Sequence, residues 1–250
     1  MQMYIKNIQE TTKLFDKENI EKAKKLEKLK PNTIENIIYF NENELDNIKP
    51  GFSKVELNEI KAKVLYEKRS LLEYLPMQRH PIPYCIIRCN DKYFLSLREN
   101  GSGEVRLIGK KGLLGGHIDK KDIIYNKGNI DLQETIKTGM LRELKEEAGI
   151  EIDMIKHLRL LGLIKIEELG SVENDHLGII YIIDLNTNKI KTMEEGVLSG
   201  EWFTAEEILN NFNTLESWSK IAFIELFKEE KNINIVSVDD SVILDNDKEY

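Results

Sequence analysis

The 250-residue sequence predicts an α/β fold with a mainly helical N-terminal extension, and three features of the chain lead to it. Apolar residues keep helical spacing before residue 76 and switch to strand spacing at Tyr84. Pro76, Pro81 and Pro83 stand at that switch, where residues lacking an N–H break regular structure. Two further helical stretches, an acidic one ending at Gly149 and an apolar one opening at Thr204, are separated by strand-like aliphatic runs. The chain accordingly divides into an extension over 1–78, an α/β domain over 79–230, and a short strand with an acidic tail over 231–250.

A formal net charge of −8, with 32% charged residues, describes a soluble chain that a polyanion does not attract, so bulk nucleic-acid binding is not expected. Aliphatic runs such as Leu177 to Leu185 are far shorter than a membrane span, and the N-terminal MQMYIKNIQE lacks the apolar core of a signal peptide. A cytoplasmic protein without a membrane partner is the expectation. Cys85 and Cys89 lie four apart in one strand, with no His or Cys at metal-ligand spacing, and read as reduced packing thiols.

In chain order, Asp16 caps a helix whose stripe is Ile20, Ala23, Leu26 and Leu29, stopped by Pro31. Glu21 and Glu27 interleave its lysines, which favours a solvated face over a basic arm. The following TIENIIYFNENELDNI fits helix or strand equally. After a turn at Pro50 and Gly51, Ser53 and Glu56 form a capping box that opens a helix running to about Leu75, with Leu57, Ile60, Val64 and Leu71 on its apolar side. These helices either cover a face of the α/β domain or make a homodimer contact.

Tyr84–Cys89 and Tyr93–Arg98 flank Asn90 and Asp91 as a hairpin, and GSG at 101–103 is too short for a phosphate loop. Gly115 and Gly116 end the next strand and let backbone approach a metal or phosphate closely. Asp131 caps a helix from Leu132 to a C-terminal Gly149. Leu158–Ile166 and Leu177–Leu185 read as buried strands, with His176 beside the second as a satisfied structural residue or a substrate contact. Glu201, Trp202 and Phe203 close another strand before a last helix, capped by Thr204 and running from Ala205 to about Lys228. Ile233 to Val238 adds a strand.

Glu143, Glu146 and Glu147 stand at i, i+3 and i+4 of the acidic helix and so share one face. Like charges one turn apart repel, and three of them invite a divalent cation held by oxygen ligands. Residues 128–150 as a whole fit G-x5-E-x7-R-E-U-x-E-E-x-G-U, where U is bulky and aliphatic: Gly128, Glu134, Arg142, Glu143, Leu144, Glu146, Glu147, Gly149 and Ile150. At about 7% usage per residue type, seven fixed identities coincide on the order of once in 10⁸ trials.

In this stretch the chain resembles the Nudix hydrolases, with weaker matches from about Pro81 to Trp202. The resemblance implies a Nudix fold, a mixed β-sheet sandwiched between helices. It implies Mg²⁺ or Mn²⁺ on Glu143, Glu146 and Glu147, and hydrolysis of a phosphoanhydride in a small-molecule substrate, a nucleoside diphosphate linked to another moiety. Arg142 would orient the carboxylates, with Glu134 doing the same from the loop end or ligating the ion through water. Arg98, at a strand end, and Gly115 would face substrate phosphates, and Glu195, six residues before Glu201, would be the general base, with Glu194 close behind. The family's box glycine usually is the second of a Gly-Gly pair, which makes Gly116 its counterpart, giving the backbone contact to the metal, with about a dozen residues inserted before Glu134. Gly128 then fits the formula partly by accident. Two other readings are a non-catalytic Nudix-fold nucleotide sensor and a prenyl diphosphate isomerase, which would want a reactive cysteine near the site.

Overall fold

The protein is described by a computed structural model over residues 35–72, 77–98, 109–168, 172–190, 198–231, 235–238 and 241–244. The proposed helix over 16–30, the GSG turn and Glu194 and Glu195 lie outside the described residues.

Strands β1 (Asn36–Asn41), β2 (Gly51–Ser53) and β3 (Leu65–Lys68) precede a single helical turn, α1 (Arg69–Leu72). Then come β4 (Gln78–Cys89), β5 (Lys92–Arg98), β6 (Lys111–Gly112), β7 (Leu114–Gly115), a small hairpin β8 (Tyr125–Asn126) and β9 (Asn129–Ile130), and the acidic helix α2 (Leu132–Ala148). Strands β10 (Ile155–Lys165), β11 (His176–Leu185) and β12 (Leu198–Thr204) follow, then α3 (Ala205–Asn210), α4 (Ser217–Lys231) and a terminal hairpin β13 (Ile235–Val238) and β14 (Ser241–Leu244).

The main sheet runs β12-β5-β4-β11-β10-β2, with β1, β6 and β7 paired beside it and β3 on β1. β4 and β11 are parallel and every other pair in the sheet is antiparallel, so the sheet is mixed. The central strands are apolar on both sides because both faces are covered. On one face Cys85, Ile87, Ile179 and Ile183 pack with Ile136, Met140 and Leu144 of α2; on the other Tyr84, Ile86, Ile180 and Ile182 pack with Trp218, Phe223 and Leu226 of α4. That is the sandwich expected of a Nudix fold. Both cysteines are free and buried, as packing thiols.

The expected helix from Ser53 to Leu75 is not formed. Gly51–Ser53 pairs with Leu163–Lys165 of β10, and Leu65–Lys68 pairs with β1. Between them a capping box does occur, Glu56 with Glu59 rather than Ser53 with Glu56, but it opens one 3₁₀ turn over Leu57–Glu59. Leu57 and Ile60 are buried in the same cluster as Met140 and Leu144, so pairing and burial override a helical spacing. Residues 36–68 thus cover the α/β unit and share its sheet.

β4 begins before Pro81 and Pro83, where a break was expected. On its edge away from β11, β4 pairs with β1 at Gln78 and Arg79 and next with β7 at Tyr84 and Cys85. The prolines fall in the gap, where a missing N–H costs no ladder bond. The last helix is likewise two helices. Thr204 caps α3 as expected, accepting from the Glu207 N–H, but Asn211 ends it with its side chain donating to the Glu207 carbonyl.

Candidate functional site

Helix α2 is built for a sharp entry and exit. Asp131 Oδ1 accepts from the Glu134 N–H at 3.1 Å, and Gly149 closes the other end at φ 61°, ψ 24°, with the Ile150 N–H returning to the Leu144 carbonyl. Ile136, Met140 and Leu144 bury one side, which turns residues 142, 143 and 146 towards the Gly116–Asp122 segment.

Arg142 is the centre of the site. Its Nη1 donates to Glu143 Oε1 at 2.7 Å and Glu146 Oε2 at 3.0 Å, its Nη2 to Asp122 Oδ2 at 2.7 Å and to the His117 carbonyl at 3.0 Å, and its Nε to Asp122 Oδ1 at 3.0 Å. Three carboxylates therefore converge on one planar fork, which can hold them in fixed directions as a lysine cannot. Burial works against the Arg142 charge, but Asp122 and Glu143 outweigh it and hold the guanidinium charged. Burial pushes the Glu143 carboxyl above its ordinary value; Arg142 resists, while Glu146 and Glu35 add to the rise. Glu147 completes the face with a buried carboxylate oxygen, close enough to Cys85 that its charge helps burial in raising that thiol.

Asp122 is the member that sequence reasoning missed. It is 3% exposed, although it lies in the polar inserted loop. An Asp119-x-x-Asp122 capping box around a 3₁₀ turn was the signal available: the Asp119 N–H donates to Asp122 Oδ2 at 2.9 Å.

Gly116 lies directly against Glu143. A Cβ there would stand 2.4 Å from the Glu143 carboxyl carbon, so the carboxylate occupies the space a side chain would take. Gly115 is excluded from bearing a side chain by the strand beside it, since its Cβ would meet the Pro83 carbonyl oxygen at 2.2 Å. Gly128 instead sits at φ 84° beside Lys127 at φ 49°, in the two-residue turn of the β8–β9 hairpin, with open space around it. Glu134 is exposed at the helix start, bonded to Lys137 at 3.5 Å, and about 13 Å of helix separates it from Glu143. Arg98 ends β5 with its backbone paired to Leu198.

These placements separate the two glycines experimentally. Gly116→Ala displaces the flexible end of Glu143, so it should melt near the parent temperature while any turnover at this site falls about 10²-fold, the scale of a 1 Å misplacement. Gly128→Ala forces a side chain into the left-handed region and should cost about 1 kcal/mol of stability with turnover unchanged. Melting curves beside initial rates decide, and the opposite pattern would return the box glycine to Gly128.

The donor set is all oxygen, on a rigid helix, with excess negative charge, which fits Mg²⁺ or Mn²⁺. A second cluster stands nearby. His80, His117 and His176 each offer one ring nitrogen, all within 4.8 Å of one another.

Residues 79–226 match the NUDIX domain family. Protein YmaB of Bacillus subtilis (strain 168) is 32% identical over 166 residues, 65% of this chain and 78% of that protein. The crystal structure of Tm1382, assigned to the Nudix hydrolases, superposes with a TM-score of 0.62 at 21% identity, over 78% of this chain and 100% of that one. The second likeness is one of fold.

Proposed function

The chain belongs to the Nudix family and is a hydrolase acting on pyrophosphate bonds, and from that premise we propose that it cleaves a phosphoanhydride of a nucleoside diphosphate linked to another moiety, with Mg²⁺ or Mn²⁺. The observation that carries this reading is the convergence of Glu143, Glu146 and Asp122 on Arg142 with Gly116 pressed against Glu143.

Glu143, Glu146 and Glu147, with the Gly116 backbone, would hold the ion. When bound, it supplies Lewis acidity towards the diphosphate oxygens and a lowered pKa for water. The chain's own groups do the rest. Arg142 fixes the direction of two of the carboxylates before any ion arrives, and Asp122 anchors the guanidinium from the inserted loop. Arg98 and Gly115 are the proposed substrate contacts and Glu195 the proposed general base. Glu134 serves the helix start, where its backbone N–H takes the Asp131 cap.

The proposed setting is cytoplasmic; among the described residues no helix is long and apolar enough to cross a membrane. Isomerisation of a prenyl diphosphate would want a reactive thiol. Cys85 and Cys89 are both buried, and burial, with Glu147 adding, pushes the Cys85 thiol up, away from the thiolate.

The test is a hydrolysis screen over dinucleotides, nucleotide sugars, oxidised nucleotides and capped RNA, with Mg²⁺, with Mn²⁺ and with chelator. Turnover of at least one class, lost with chelator and restored by the ion, is the expected result. Thermal shifts with nucleotides but no turnover anywhere would replace the enzyme with a nucleotide sensor.

A further inference from the structure

We propose that His80, His117 and His176 form a second metal site, built for a borderline divalent ion of the Zn²⁺ class and chemically unlike the carboxylate cluster. Two strands and the segment after a third deliver one imidazole each. β4 and β11 are parallel with His80 directly opposite His176, so both rings leave the same face of the sheet side by side. His117 follows β7, which runs antiparallel along the other edge of β4, and brings the third ring in beside the unpaired stretch at Pro81–Pro83.

The distances suit coordination. Ring centroids are separated by 5.2, 5.3 and 5.6 Å, and Nε2 of His117 lies 3.3 Å from Nε2 of His176. With Zn–N of about 2.0–2.1 Å, two tetrahedral nitrogen ligands stand about 3.3 Å apart and their ring centres about 5.2 Å apart. Three imidazoles without a carboxylate favour Zn²⁺, Co²⁺ or Ni²⁺ over Mg²⁺ or Mn²⁺, which prefer oxygen.

A packed structural histidine is the competing account, and His80 speaks against it. It is 1% exposed, and among the described residues neither ring nitrogen has a hydrogen-bond partner. A buried ring nitrogen left in that state is costly, and an ion accepting its lone pair would satisfy one of the two. Burial, with His176 and Arg69 adding, works against a charged His80 ring. Arg69 is the positive charge felt by both His80 and His117, and its ion pair with Glu35 at 2.9 Å offsets it.

The site also reaches the carboxylate cluster through one residue. While the His117 ring faces the other imidazoles, its carbonyl accepts from Arg142. An ion on the three rings would therefore pin Gly116 and His117 where Arg142 and Glu143 need them.

The test uses the full chain, stripped with chelator, reloaded with Zn²⁺ and dialysed, with retained metal counted by atomic emission. One equivalent of Zn²⁺ should remain in the parent and in Glu146→Gln/Glu147→Gln, and His80→Gln and His176→Gln should each bind Zn²⁺ at least about 100-fold more weakly. Retention unchanged in both histidine variants, or lost in the double glutamate variant, overturns the proposal. Because a core histidine variant can fail to fold, ¹⁵N spectra of histidine rings in the parent give a second readout. The sequence has four histidines, and the exposed His157 is the internal control. Zn²⁺ should move the signals of His80, His117 and His176 together and leave His157; failure of the three to move together overturns the site.

Discussion

Replacing Glu146 and Glu147 together with glutamine should lower the hydrolysis rate by about 10³-fold or more while the protein melts within a few degrees of the parent. Glutamine keeps the shape of each side chain, so the helix face against the sheet is unaltered. What changes is charge. Glu143, Glu146 and Glu147 lie within one turn, and removing two carboxylates relieves repulsion of a few tenths of a kcal/mol per pair. The Arg142–Glu146 ion pair is lost, but the Glu146 side chain is 55% exposed and such pairs contribute little, so the two effects roughly offset. Function has no such offset. An ion that stabilises transition-state charge contributes several kcal/mol, and about 4 kcal/mol corresponds to about 10³ in rate. Initial rates at saturating Mg²⁺ together with a melting curve form the check. A parental rate in the double variant would remove these carboxylates from the chemistry.

The parts of this site legible in the sequence are those written into one helix. Arg142, Glu143, Glu146, Glu147 and Gly149 are fixed relative to one another by the helical repeat, so their spacing reveals their geometry before any tertiary contact is known. The short, continuous apolar runs of β4 and β11 are equally local, and so is the sandwich that follows from covering both faces. Asp122 is illegible for the opposite reason. It is twenty positions from Arg142 in a polar loop, where a carboxylate reads as solvated, and only the fold of the loop buries it. His80, His117 and His176 are brought together by strand register, which no sequence spacing records. Leu57, Ile60 and Val64 show how periodicity misleads: they match a helical stripe, yet the sheet edges offered by β10 and β1 take the flanking residues into strands. Gly128 matches a motif letter for letter, and its positive φ shows that a hairpin turn is what requires it.

Glu42→Ala should destabilise the protein by about 3–5 kcal/mol, the range for breaking a buried ion pair from one side. Glu42 follows β1 and takes Arg79 of β4 on one oxygen and Lys165 of β10 on the other, the latter at 2.7 Å. The Arg79 and Lys165 side chains are each 5% exposed, so alanine would leave two buried cations facing one another. Arg79 Nη1 keeps the Ile166 carbonyl at 2.7 Å, and Lys165 Nζ keeps the Ile48 carbonyl at 3.3 Å and an ion pair with the half-exposed Glu167 at 3.1 Å, which offsets the lysine charge only in part. For a chain of this size the loss corresponds to roughly 10 °C in Tm. Changing all three residues to apolar ones of similar volume should recover most of it, because the penalty comes from unpaired charge rather than lost contact area. A triple variant no more stable than Glu42→Ala would contradict that cause. The pH dependence gives an independent check. Burial raises the Glu42 pKa, but Arg79 and Lys165 outweigh it and hold the carboxyl below its ordinary value. A lowered carboxylate pKa contributes stability that is present above the ordinary value and lost as pH falls through the lowered one. The difference in unfolding free energy between parent and Glu42→Ala should hold steady near neutrality and shrink on acidification below the ordinary carboxylate range; a gap that instead widened in acid would contradict the assignment of Glu42 as the ion holding β1 to the sheet.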